Sequence, residues 1–140
     1  MSHVLDQVIA GETPQTSYAH ALRLPRPHAW EPGRVTTRWE VDPELMTPWG
    51  AIFGGYLAAL ADECAGLAAL SVLEPGETFA TNDLRLSPMR AVRGGPVTIE
   101  ASVLHRGRST IHVEVEFRDP GGTLLAKASA LQLVRATERA

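Results

Sequence analysis

Apolar and polar residues alternate with a period of two through much of the second half of the chain. Val97, Ile99, Ala101 and Val103 line one face of an expected strand, and Ile111, Val113, Val115 and Phe117 one face of the next. His105-Arg106-Gly107-Arg108 lies between them with the make-up of a hairpin turn. Asp119-Pro120-Gly121-Gly122 is a second turn, and Leu124 to Val134 reads as a further strand. Earlier, Val35, Thr37, Trp39 and Val41 alternate with polar neighbours, and Phe79 to Leu86 is a mixed run with Thr81, Leu84 and Leu86. Between these two lies Tyr56 to Leu73, apolar on almost every side, the pattern of a helix that must be enclosed. Asp62 and Glu63 near its middle would be costly in lipid, so the segment is expected to be buried in protein rather than to span a membrane. The expected order is strand, long helix, then four strands in a meander: an α+β layer with the sheet wrapped on the helix.

Ahead of this region, Ser2 to Ala10 reads as a short amphipathic helix with Ser2 as candidate N-cap and Gly11 as stop. Glu12 to Gly33 contains Pro14, Pro25, Pro27 and Pro32 without a steady period, the pattern of an extended arm or loop. The expected organisation is an arm over 1–33 leading into a domain over 34–140, one folding unit in all. A formal charge of -3 argues against a nucleic-acid partner, which requires a basic face. The first residues lack a basic stretch followed by an apolar core, so no secretory signal is expected there. A single cysteine, Cys64, fits a reducing, cytoplasmic compartment. The five histidines are dispersed, and no metal site is expected.

At 100° per residue, Leu57, Leu60, Cys64 and Leu67 cluster on one side of the helix, the face expected to meet the sheet. Gly55, Ala58, Ala59, Asp62, Ala65, Gly66 and Ala69 fall opposite, with Asp62 at the centre of this small-residue face. Asp62 is then either an exposed or interface acid with hydrogen-bond donors, or a carboxylate held in a cleft where a substrate approaches. Glu63, one step round, is expected to be solvated or ion-paired. Trp49-Gly50-Ala51-Ile52-Phe53-Gly54-Gly55 leads into the helix. Its paired glycines form either a tight turn packed on the sheet or a set of unobstructed N–H groups at the positive end of the helix dipole. A carboxylate and an anion-stabilising turn are the two parts that acyl transfer requires.

These residues resemble the signature of the hotdog-fold acyl-CoA thioesterases, closest to the phenylacetate-pathway and 4-hydroxybenzoyl-CoA thioesterase branch. That pattern runs Asn-x-x-Gly-x-x-His/Phe-Gly-Gly with an acid nine residues after the His/Phe, and Phe53 to Asp62 has this spacing. Leu84 to Arg90 is similar to the family's strand ending in a Pro-containing turn, and Leu104 to Ser109 to its Gly-Arg hairpin. The likeness covers roughly residues 34 to 134. Two positions depart from it: Thr47 stands where the family has Asn, and Phe53 where many members have His.

The resemblance implies a hotdog, an antiparallel sheet wrapped around one long central helix. It implies hydrolysis of a small or medium acyl-CoA thioester, aromatic acyl groups included, without a cofactor. Asp62 would be nucleophile or general base and the Gly55 N–H the oxyanion donor; Thr47, Phe53, Gly54 and Thr81 would contact substrate. Arg90, Arg93, Arg106, Arg108 and Ser109 are candidates for coenzyme A phosphates. It also implies a homodimer or homotetramer with sites built across the subunit interface. Two other readings stay open: an acyl-CoA-binding hotdog without catalysis, favoured by Thr47 and Phe53, and a hotdog dehydratase, disfavoured because no His lies between His28 and His105.

Overall fold

The computed structural model describes residues 3–137. The chain opens with α1 (Val4–Ala10) and α2 (Ser17–Ala21), then β1 (Ala29–Glu31) and β2 (Arg34–Glu40). A 3-10 turn over Pro43–Leu45 leads to α3 (Gly54–Leu70), followed by β3 (Glu77–Pro88), β4 (Pro96–Arg106), β5 (Thr110–Arg118) and β6 (Leu124–Ala136). Ser2, the expected cap of the first helix, lies outside the described residues. His3 caps α1: its Nδ1 accepts the Leu5 N–H at 3.1 Å, and the Asp6 carboxylate accepts the His3 N–H at 3.0 Å. Gly11 stops the helix in the left-handed conformation, at φ 73°.

The six strands form one antiparallel sheet in the order β1-β2-β4-β5-β6-β3, with α3 packed across one face, the hotdog architecture. The expected four-strand meander holds only for β4, β5 and β6; β3 crosses to the far edge and pairs with β6, not β4. The physical reason lies in the side chains. β4 and β5 carry fully buried alternating residues and take the centre, whereas no residue of β3 is fully buried. The arm is also more ordered than expected, since it contains α2 and contributes β1, which pairs with β2.

The core forms where Val35 and Trp39 of β2, Val97 and Ile99 of β4, and Val113 and Phe117 of β5 meet the helix. β6 presents Ala126, Ala128 and Ala130 on this side, leaving room for α3. The buried face of α3 is Leu57, Leu60, Ala61, Cys64, Ala65, Ala68 and Ala69 together with Tyr56. It is rotated from the expected leucine stripe: Ala65 and Ala69, expected outside, are buried, and Leu67, expected inside, is half-buried. Close approach to the sheet selects small side chains, and a helix apolar all round offers no strong moment to orient it otherwise.

Cys64 is buried against Thr37, with Sγ 3.7 Å from the Thr37 hydroxyl, and burial pushes its thiol pKa up to about 12. The native protein should therefore resist a thiol-alkylating reagent at neutral pH and be labelled at once in denaturant, read by intact mass. Rapid labelling of native protein would mean that α3 lifts from the sheet.

Candidate active site

Asp62 projects from α3 towards the edge strand, where its Oδ1 accepts a hydrogen bond from the Thr81 hydroxyl at 2.7 Å. Thr81 sits beside a β-bulge, because the β3–β6 register shifts between Thr81 and Asp83. Bulges next to reactive groups re-aim side chains and locally twist the strand. Asp62 and Thr81 line a cleft of ≈ 260 Å³ with Tyr18, Leu22, Leu24 and Phe79. Asp62 thus has the hydrogen-bond donor that one reading expects and the cleft that the other expects. Gly66 lets the Phe79 ring approach closely: a methyl group on it would lie 3.2 Å from the ring tip.

Glu63 departs from the solvated acid expected. It is half-buried in the same cleft and its Oε1 accepts the Tyr18 hydroxyl at 2.7 Å. Burial raises the Glu63 pKa above its ordinary value, partly offset by the Tyr18 hydrogen bond. Burial, followed by the Glu63 contact, pushes the Tyr18 phenol up to about 12. A carboxyl whose folded pKa is raised favours the fold while protonated. Its contribution is complete below the unfolded value of 4.5 and is lost as pH rises through the raised value. Glu63→Gln keeps an acceptor for Tyr18 but cannot ionise. Its melting temperature should match wild type below pH 4.5, exceed it by a growing margin as pH rises towards the raised value, and keep a steady margin beyond it, in thermal melts across pH; a difference independent of pH throughout would contradict the assignment.

The other expected site residues lie apart from this cleft. Phe53 caps the N-terminus of α3, and its ring covers Gly55, where a methyl group would meet Phe53 Cε2 at 2.6 Å. Among the described residues, the Gly54 and Gly55 N–H groups have no backbone acceptor. Thr47 turns inward on its own loop, its hydroxyl accepting the Trp49 N–H at 3.3 Å. Gly50, at φ 79°, closes that turn through its N–H to the Thr47 carbonyl at 2.9 Å. Arg93 holds the same turn by donating to the Trp49 carbonyl at 3.0 Å, so its guanidinium is already engaged. None of Thr47, Phe53, Gly54 and Gly55 lines the Asp62 cleft.

The basic candidates divide likewise. Arg106 is ion-paired with Glu77 and also donates to the Gly107 carbonyl, while Arg108 and Ser109 are exposed on the following turn. Ser109 accepts the Val134 N–H through its carbonyl, and Val134 is paired with Phe79, so this turn lies at the Asp62 end of the sheet. Arg90 is exposed beyond Pro88, at the opposite end of β3, roughly 30 Å away at the rise of an extended strand.

Two residues near the site went unnoticed in the sequence. Tyr18 carried no signal, since nothing in the pattern of the arm links it to α3. Gln132 did carry one: it occupies an inward position in the β6 series Ala126, Ala128, Ala130, Gln132, and is opposite Thr81 in the ladder. Its amide is buried with no hydrogen-bond partner among the described residues.

A sequence profile of the thioesterase superfamily matches residues 50–126, more than half of the chain, from the glycine turn into β6. The chain belongs to the thioesterase superfamily. Membership makes it a thioester hydrolase. This thioesterase is 36% identical over 98 residues to a candidate esterase of Saccharolobus solfataricus, spanning 70% of this chain and 69% of that one. It is 28% identical over 95 residues to a 1,4-dihydroxy-2-naphthoyl-CoA hydrolase of Listeria monocytogenes, covering 68% of this chain and 77% of the relative. A candidate thioesterase of Ralstonia eutropha, described as phenylacetic acid degradation-related, superposes with a TM-score of 0.82 at 26% identity. That superposition covers 94% of this chain and 99% of the other. The resemblance read from Phe53 to Asp62 is therefore sound at the level of family and fold.

Proposed function

We propose that this thioesterase hydrolyses an acyl-CoA, with Asp62 as nucleophile or general base and the Gly55 N–H as oxyanion donor. The observation that carries the reading is the Asp62–Thr81 pair in a largely apolar cleft: a carboxylate held in place by a hydroxyl, beside space for an acyl group. The relative named as a naphthoyl-CoA hydrolase supports a coenzyme A thioester as substrate.

Geometry also argues for a second copy of the chain. Gly55 and Asp62 are seven residues apart on one helix, about 10 Å along its axis, too far for both to act on one carbonyl. β3 is a twelve-residue edge strand, and such edges invite pairing. A two-fold partner adding its own β3 antiparallel would bring the Gly55 end of one α3 beside the Asp62 of the other. The same operation would bring the Arg90 end of one sheet to the Arg106, Arg108 and Ser109 turn of the other, giving coenzyme A phosphates cations from both. Phe53, Gly54 and Thr47 would then contact substrate from the partner side. The single cysteine, buried and unbridged, supports a cytoplasmic setting. Thiol release from a panel of aliphatic and aromatic acyl-CoAs tests the reading. Turnover of at least one is expected, and binding without any release would assign the fold to acyl-CoA capture instead.

A further inference from the structure

Two clefts meet on the outer side of α3. The inner, of ≈ 260 Å³, contains Asp62 and Thr81. The outer, of ≈ 250 Å³, lies under the N-terminal arm and is walled by Val4, Val8, Pro14, Ala19, Pro25 and Pro27. Tyr18, Glu63, Leu67 and Leu70 line both. Three of these four belong to α3, so Tyr18 of α2 is the one group of the arm that divides the clefts, tied across by its bond to Glu63.

The walls of the outer cleft are built rather than loose. Arg26 donates to the Val8 and Thr13 carbonyls at 2.9 Å each, and Gln15 to the Leu24 carbonyl at 2.8 Å. Of the polar side chains that border this cleft, Arg26 and Gln15 are occupied by these bonds and Tyr18 and Glu63 by each other; with Thr16 they interrupt a lining that is otherwise apolar. Each cleft alone falls below the ~300–1,000 Å³ of small-molecule sites, while the two joined fall within it.

We propose that the outer cleft is a distal acyl subsite and that Tyr18 is the partition setting how far an aliphatic chain extends from the thioester carbonyl at Asp62. The proposal rests on the acyl-CoA thioesterase reading above. An unbranched alkyl chain is the occupant that the lining fits, since Val4, Val8, Ala19, Leu67, Leu70 and the prolines make most of it and a polar acyl group would lose water against them. With the Tyr18 ring in place the chain stops at the inner cleft; with the ring gone it passes beneath the arm.

The test is hydrolysis and calorimetric binding of butanoyl-, octanoyl- and dodecanoyl-CoA by wild type, Tyr18→Ala and Tyr18→Trp. Tyr18→Ala should raise the dodecanoyl-to-butanoyl ratio of kcat/KM by about tenfold or more, and Tyr18→Trp should lower it. Adding Val8→Phe to Tyr18→Ala, which fills the outer cleft, should return the ratio to the wild-type value. A ratio unmoved by Tyr18→Ala, or an equal loss at every length, overturns the subsite. Should wild type hydrolyse none of the three, the dodecanoyl-to-butanoyl ratio of association constants decides the subsite by the same directions, and the thioesterase reading itself fails only if aromatic acyl-CoAs are not hydrolysed either. Should Tyr18→Ala not fold, Tyr18→Trp, at a side chain 55% exposed, carries the test in the opposite direction.

Discussion

Asp62→Asn is expected to lower kcat for acyl-CoA hydrolysis by about 10²-fold or more, with KM little changed. The substitution is nearly isosteric and its amide oxygen can still accept the Thr81 hydroxyl that now bonds Asp62 at 2.7 Å, so fold and cleft should persist. What it removes is the negative charge and the basicity. The amide can neither attack a thioester carbonyl nor take a proton from water, and both routes end at this one group. Substrate binding relies instead on the cleft walls and on distant cations, which explains the expected split between kcat and KM. Thiol release with saturating substrate, alongside circular dichroism, gives the result directly. Full turnover by the Asn protein would remove Asp62 from the chemistry.

Mixing two inactive variants should restore activity if the site is shared between chains. Gly55→Pro deletes the proposed oxyanion donor; proline is tolerated in the first helical turn, Gly54 relieves crowding by its ring, and the exposed Phe53 ring, which a Cβ at 55 would meet at 2.6 Å, must turn aside. The homodimer of each variant should be nearly silent. In a heterodimer of Asp62→Asn with Gly55→Pro, one site combines the intact Asp62 of one chain with the intact Gly55 of the other, while the second site carries both lesions. Random exchange between two-fold dimers makes half of them heterodimers, so roughly a quarter of wild-type activity should return. No recovery after demonstrated subunit exchange would refute the shared site. The design turns the 10 Å helical separation of Gly55 and Asp62 into a yes-or-no measurement.

Much of this architecture was legible because period-two alternation survives wherever one sheet face is buried. β4 and β5 carry it cleanly: β5 matches the expected strand within a residue at each end, while β4 runs three residues past Val103, so His105 and Arg106, expected in the turn, belong to the strand. β3 was found as a strand, but its place in the sheet was not, since strand order is settled by which segments best fill the centre. The rotation of α3 was misread for a related reason: with alanine, leucine and glycine on all sides, hydrophobicity alone cannot say which face approaches the sheet. In the candidate site, Asp62 and Thr81 came from spacing and resemblance, and the structure joins them. Tyr18 and Glu63 are forty-five residues apart, and a contact of that range between an arm and a helix leaves no periodic trace. Gln132 was the exception, a polar residue on an otherwise apolar strand face that the pattern itself marks.

The late arrival of the sheet bears on how the protein is made. α3 emerges from the ribosome before β4, β5 and β6 have been synthesised, and of the strands that flank it in sequence, β2 has only the three-residue β1 until β4 arrives and β3 waits for β6, the last to appear. At roughly 5–20 residues per second, a nearly all-apolar helix stands uncovered for several seconds. Nascent chains of this protein are thus natural clients for co-translational holding factors. Cutting the chain before β6 would leave β3 without a strand partner and bare one edge of β5, so premature termination near the C-terminus should yield insoluble product rather than a trimmed enzyme.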